Sequence, residues 1–204
     1  MKKLIILAVA TTLLTGCTIV RIDTKNIDNT MSVVLSKNNI LYNRVGKGYK
    51  YYVPRGVTYI DTTELNEKLY SNGNYYYLYL DAISYYYQKE VTYTVNDKIY
   101  YSKKITGNNK SGYLEIKKMD QLYFIEFMYN YAKIEALVQK DEIEEVILNA
   151  SYILSTVKFN NNVIKLMLDK NYFINREEKY DIFTAKNKIN TSVTSPQTTE
   201  SNGK

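Results

Sequence analysis

The chain has 204 residues, 27 lysines and arginines against 21 aspartates and glutamates, 23 tyrosines, one cysteine, no histidine and no tryptophan. Without histidine the Ser-His and Cys-His nucleophile–base pairs and the usual zinc sites are excluded, so catalysis would have to rest on a carboxylate pair, a lysine base or a carboxylate-bound hard cation. A formal surplus of +6, spread along the chain and including Lys2 and Lys3, falls short of a nucleic-acid footprint.

Met1-Lys2-Lys3 supplies a positive start, and Leu4 to Leu14 follows without a charge. That run is shorter than the roughly 20 residues a helix needs to cross the hydrocarbon core, and it has the layout of an export signal. Leu14-Thr15-Gly16-Cys17 resembles the lipobox of bacterial lipoproteins. The resemblance implies a diacylglycerol on the Cys17 thiol, cleavage by the lipoprotein signal peptidase between Gly16 and Cys17, and a new amino terminus open to acylation. The lone cysteine fits, since it can form no internal disulfide. The expected organisation is a signal peptide over 1–16, a lipidated cysteine and tether over 17–25, and a body held on the outer face of the cell membrane. Thr18 to Lys25, fully extended, reaches about 26–29 Å.

From Asn26, the apolar residues Ile27, Met31, Val34 and Leu35 recur at helical spacing, with Asp28 in the first turn. Strands are expected over Leu41–Val45, Tyr49–Val53, Val57–Ile60, Lys68–Ser71 and a long Tyr75–Tyr87 run, separated by Gly46-Lys47-Gly48, Pro54-Arg55-Gly56 and Asn72-Gly73-Asn74. In the long run Tyr76, Leu78, Leu80 and Ala82 share one face, expected to be core, and Tyr75, Tyr77, Tyr79 and Asp81 the other. Further strands are expected over Val91–Val95, Lys98–Ile105, Tyr113–Lys117, Leu122–Met128 and Ala132–Val138, with a polar loop over Gly107–Gly112 and a tight connection at Tyr129-Asn130-Tyr131.

Asp141–Ser155 is the clearest helix, because Ile143, Val146, Ile147, Ala150 and Leu154 make one apolar stripe. Asp141-x-x-Glu144 has the form of a capping box, and the acidic residues of the first turn suit the helix dipole. Val157–Phe159 reads as a strand, Val163–Leu168 and Glu177–Phe183 as short apolar segments of open type, and 187–204 as a disordered polar tail. The whole is one α+β domain over 26–186.

Gly48-Tyr49-x-Tyr51-x-Val53-Pro54-x-Gly56, a later strand pair and a final helix entering Ile153-Leu154-Ser155-Thr156-Val157-Lys158-Phe159 are similar in order to the PsbP-like fold. The resemblance implies an antiparallel sheet flanked by helices, as an α/β/α sandwich. Members of that fold group are mostly non-catalytic binding or assembly factors.

Gly46-Lys47-Gly48 lacks the spacing of a phosphate loop, and Asp169-Lys170-Asn171 lacks the glycine and closing glutamate of a calcium loop. Lys103, Lys104, Lys110, Lys117 and Lys118 flank one hairpin, as an edge guarded against aggregation or as contacts to an anionic surface. Tyr75-Tyr77-Tyr79, Tyr85-Tyr86-Tyr87 and Tyr100-Tyr101 are either cross-strand packing or an aromatic platform for sugar or peptide. Asp81 and Glu126 are the strand-borne acids that a hydrolase would use. The expected function is a non-catalytic accessory or binding module at the membrane–cell-wall boundary. It takes no metal and no cofactor, it is attached to membrane lipid through Cys17, and its partner is an unidentified envelope protein or wall ligand. A direct glycan or peptide binder using the tyrosine face is the alternative.

Overall fold

In the computed structural model, residues 26–107 and 109–169 are described. The signal segment, Gly16 and Cys17, the tether to Lys25, Glu177–Phe183 and the tail from 187 lie outside them. No helix among the described residues is long and apolar enough to cross a membrane.

Helix α1 (Ile27–Leu35) starts where Asn26 Oδ1 accepts from the Asn29 amide at 3.0 Å, and it buries Thr30, Met31, Val34 and Leu35. Strands β1 (Arg44–Gly46) and β2 (Tyr49–Tyr51) form a hairpin, and β3 (Thr58–Thr63), β4 (Asn66–Ser71) and β5 (Asn74–Leu80) form a meander. After the short helix α2 (Ala82–Tyr86), a second meander comprises β6 (Tyr101–Gly107), β7 (Lys110–Met119), β8 (Leu122–Tyr129) and β9 (Ala132–Val138). A 3-10 turn leads into α3 (Ile143–Thr156), followed by β10 (Lys158–Phe159) and α4 (Asn161–Asp169).

The architecture is α+β, with antiparallel sheets flanked by helices. The larger sheet has seven strands in the order β3-β4-β5-β9-β8-β7-β6, and the smaller has three, β1-β2-β10. Alternation along the strands decides which face is core. Tyr76, Leu78, Leu80, Leu114, Ile116, Ile125, Phe127, Ile134 and Ala136 enter one cluster with Met31 and Leu35 of α1 and with Ile143, Val146, Ile147, Ala150 and Leu154 of α3. The side chains of opposite parity, Tyr75, Tyr77, Tyr79, Tyr113, Phe124, Met128 and Leu137 among them, stay outside that cluster.

Turn chemistry follows the sequence closely. Val57 N bonds Pro54 O at 3.1 Å with Gly56 at φ 92, and Asn72 (φ 46) with Gly73 (φ 85) closes the Ser71↔Asn74 pair, as a two-residue hairpin turn requires. Asn130 and Tyr131 do the same between β8 and β9, at φ 53 and φ 62.

Several expectations are corrected. The Tyr75–Tyr87 run is a strand only to Leu80, because Asp81 Oδ1 accepts from the Ser84 amide at 2.8 Å and starts α2. Tyr85 then stacks on Phe159 with centroids 4.3 Å apart. Val91–Val95 joins no ladder; Tyr93 lies flat on Tyr113, 4.3 Å away at 4°. The Gly107–Gly112 stretch belongs mostly to β6 and β7, and Gly112 stands within β7 at a point where a Cβ would sit 2.0 Å from Met128 O, so the strand needs glycine there. The segment 163–168, left open by its sequence, is part of helix α4. The cap before α3 lies two residues earlier than Asp141-x-x-Glu144, with Gln139 N donating to Glu142 Oε2 at 3.0 Å.

Candidate binding face

The face of the large sheet turned away from the core carries the functional candidates. Register places Lys68, Tyr77, Glu135, Glu126, Glu115 and Ser102 side by side on β4, β5, β9, β8, β7 and β6. Three carboxylates thus stand on adjacent strands, where directly opposed side chains come within about 4.5–5.5 Å at Cβ and like charges repel. Each carboxylate has a compensating partner. Lys117 Nζ is 2.5 Å from Glu115 Oε2, Lys133 Nζ is 3.3 Å from Glu135 Oε1, and the Tyr113 hydroxyl donates to Glu126 Oε1 at 2.5 Å. Tyr93 adds a bond to Glu115 Oε1 at 2.8 Å and meets Ser102 Oγ at 2.6 Å. Burial works against the charge on Glu115, but the Lys117 and Tyr93 bonds overcome it and hold the carboxyl below the usual range. The Tyr113 phenol is pushed up by burial and then by its bond to Glu126, so it remains a donor.

On the β4–β5 side this face is aromatic. Tyr75 is 44% exposed, Tyr77 and Tyr79 are half-buried, and Tyr70 lies 5.2 Å from Tyr75, ring to ring. Lys68 Nζ stands 4.1 Å from the Tyr75 centroid and 5.8 Å from that of Tyr77, a cation held by two rings. Beside Tyr79, the Asn66 side chain is buried and its Oδ1 has no hydrogen-bond donor among the described residues. A buried amide oxygen of this kind is costly unless something outside the described residues donates to it.

The other expected residues scatter. Tyr85, Tyr86 and Tyr87 leave the sheet with α2, and Tyr101 turns to the core side, where its hydroxyl donates to Asp28 Oδ1 at 2.8 Å. The five lysines of the hairpin divide between faces: Lys104 and Lys117 accompany Tyr113 and Glu115, Lys103 pairs with Asp28, Lys110 is half-buried and Lys118 is exposed. Asp81 and Glu126 form no dyad. Asp81 lies four residues beyond Tyr77, the β5 member of the acidic row, which is about 13 Å along the strand before the two-strand separation is added. That exceeds the about 5–9.5 Å at which paired carboxylates hydrolyse a glycoside. Glu126 instead neighbours Glu115 and Glu135, neither singled out by sequence, because only register brings three strands' acids into line. Glu135 is 1% exposed, so it is shut off from a substrate.

A second cluster went unread in the sequence. Glu67, on the core side of β4, accepts hydrogen bonds from the Tyr49 and Tyr51 hydroxyls and from Arg44 Nε at 2.8 Å. Arg44 also donates to Thr62 Oγ1 at 3.0 Å and lies 3.3 Å over the Tyr59 ring. Burial, and then Glu67, raise both phenols far above their ordinary value. The alternation Tyr49-x-Tyr51 was the available signal, pointing two hydroxyls to one face. Their partner was seventeen or so residues away and not deducible without the sheet-to-sheet packing.

Comparison with known proteins finds no matching family model, no matching curated protein and no matching solved structure.

Proposed function

We propose that the chain is a bacterial lipoprotein, anchored at the outer face of the cell membrane through lipid on Cys17, whose domain is a non-catalytic module that binds cell-wall glycan or peptide on its tyrosine-bearing sheet face. The observation that carries the binding half is the alignment of Tyr75, Tyr77 and Tyr79 on a face outside the core, beside Lys68, Asn66 and the carboxylate row. Aromatic faces flanked by a few fixed polar groups are the usual composition of sites for small polar polymers. The non-catalytic half draws support from Asp81 and Glu126, which are engaged as a helix cap and as the acceptor of a tyrosine hydroxyl.

The anchoring half draws support from Leu14-Thr15-Gly16-Cys17 and from the start of α1 at Ile27, just past the proposed tether. Cys17→Ser is expected to release the protein from membranes or leave its precursor uncut, read by fractionation and intact-mass measurement. An unmodified Cys17 in membrane-derived protein would overturn the anchor.

For the binding face, the chain from Thr18 onward should co-sediment with purified cell wall, and the double variant Tyr75→Ala/Tyr77→Ala should weaken that binding about tenfold. This follows if each ring contributes about 0.5–1.5 kcal/mol. Undiminished binding by the double variant would remove the face from the function, and turnover of wall polymer lost in Glu126→Gln would overturn the non-catalytic reading.

A further inference from the structure

The domain has a second surface of different chemistry, on the edge of the sheet rather than its face. Strand β6 ends the seven-stranded order, and among the described residues nothing pairs with its outer edge. In an antiparallel edge strand every second residue turns its N–H and C=O away from its neighbour, so the Lys103–Gly107 stretch offers a row of unused backbone donors and acceptors. Alongside that row runs a groove of about 450 Å³ between β6 and α1, floored by Met31, Leu35, Ile105 and Tyr129. An adjoining hollow of about 230 Å³ shares Leu35 and Tyr129 and extends to Lys110.

We propose that this groove binds an extended acidic peptide of a partner protein, which adds to β6 as an eighth strand, lays apolar side chains on Met31, Leu35, Ile105 and Tyr129, and sets a carboxylate against Lys110. Strand addition at a free edge takes affinity from main-chain bonds and specificity from alternate side chains in pockets.

The charge of the occupant follows from the rim. Lys37 lines the hollow, Lys110 is half-buried with its ammonium 3.4 Å from the Ser155 carbonyl and in no ion pair among the described residues, and Lys104 is exposed on the other face of the same edge strand. Burial and then the nearby Lys158 depress the Lys110 pKa, so an anion set against the ammonium would offset both. The one carboxylate lining the groove among the described residues, Asp28, is already taken by Lys103 and Tyr101 at the other end. A second copy joined edge to edge would bring lysines of both copies together. The chain's own residues 170–204 hold more lysine and arginine than acid, so they match the rim poorly.

The inference is independent of the tyrosine face and of the lipid. Its test uses the chain from Thr18 onward and a fluorescent ten-residue peptide that alternates valine with serine and carries aspartate in place of its first and last valines, so that valines and carboxylates share one face as Ile105 and Lys110 do. A lysine-for-aspartate analogue and a copy N-methylated at alternate residues serve as controls. The acidic peptide is expected to bind saturably, to slow amide exchange within Lys103–Gly107, and to lose at least tenfold in affinity to the Lys110→Gln chain and to both control peptides. Lys110→Gln removes the charge and keeps a polar side chain one bond shorter. Its folding is checked by circular dichroism, and the N-methylated peptide gives the same information without altering the protein. No saturable binding, equal binding of the N-methylated copy, self-association through β6, or crosslinks from Lys110 to residues 170–204 of the same chain would each overturn the proposal.

Discussion

Glu67→Ala is expected to destabilise the domain by about 3–5 kcal/mol, the cost of breaking a buried ion pair by deleting one partner. The Glu67 side chain is 0% exposed while that of Arg44 is 26% exposed, so the deletion strands a partly buried guanidinium. It also strands the hydroxyls of Tyr49 and Tyr51, which are 3% and 0% exposed and have no solvent to turn to. Relaxation is restricted, because the Tyr49 ring lies so close to Gly46 that a Cβ there would be 2.0 Å from it. Because Arg44, Tyr49 and Tyr51 belong to the small sheet and Glu67 to the large one, the loss should loosen the joint between the sheets. Urea denaturation at neutral pH gives the number, and Glu67→Gln, which keeps an acceptor for the phenols, should fall between the two. A loss below about 1 kcal/mol for the alanine variant would show that the cluster is not a tie.

Ile147→Ala is expected to cost about 2–5 kcal/mol, the range for large aliphatic residues deleted from a close-packed core. Ile147 is 0% exposed at the centre of the α3 stripe, in the same cluster as Ile125, Ile134 and Ala136 of β8 and β9. The neighbouring β9 residue Leu137, 36% exposed on the other face, provides the contrast. Its truncation should cost well under half as much, since a surface site leaves no cavity. Equal losses at the two positions would mean that both faces of the sheet are packed.

Periodicity made much of this legible. The α3 stripe, the alternation of Tyr75–Leu80 and the Asn-Gly turn are local patterns whose geometry depends on few neighbours, and they hold in the structure. The errors fall where tertiary contacts outrank local preference. Tyr85 and Tyr86 are strand formers by composition, yet Asp81 caps a helix there and Phe159 receives Tyr85. Gly112 reads as loop until the close approach of β8 is known. The acidic row and the Glu67 cluster were hidden for one reason: a carboxylate's neighbours in a sheet are set by register between strands, which a single strand's sequence does not encode.

The order of the strands also has a kinetic meaning. The large sheet consists of two meanders, β3-β4-β5 and β6-β7-β8-β9, and the ladder that unites them sets Tyr77–Leu80 against Ala132–Glu135. Hairpins within each meander close over short loops in about 1–10 μs. Uniting the halves encloses about fifty residues, and the β2–β10 ladder encloses still more of the chain, so these contacts are the slow, late ones. Until the halves meet, β5 and β9 are both raw edges, and the β5 edge is a run of tyrosine and leucine with no charge. A molecule caught at that stage presents a template that another copy can extend, so crowding during folding should favour tangling through β5 over any other part of the chain.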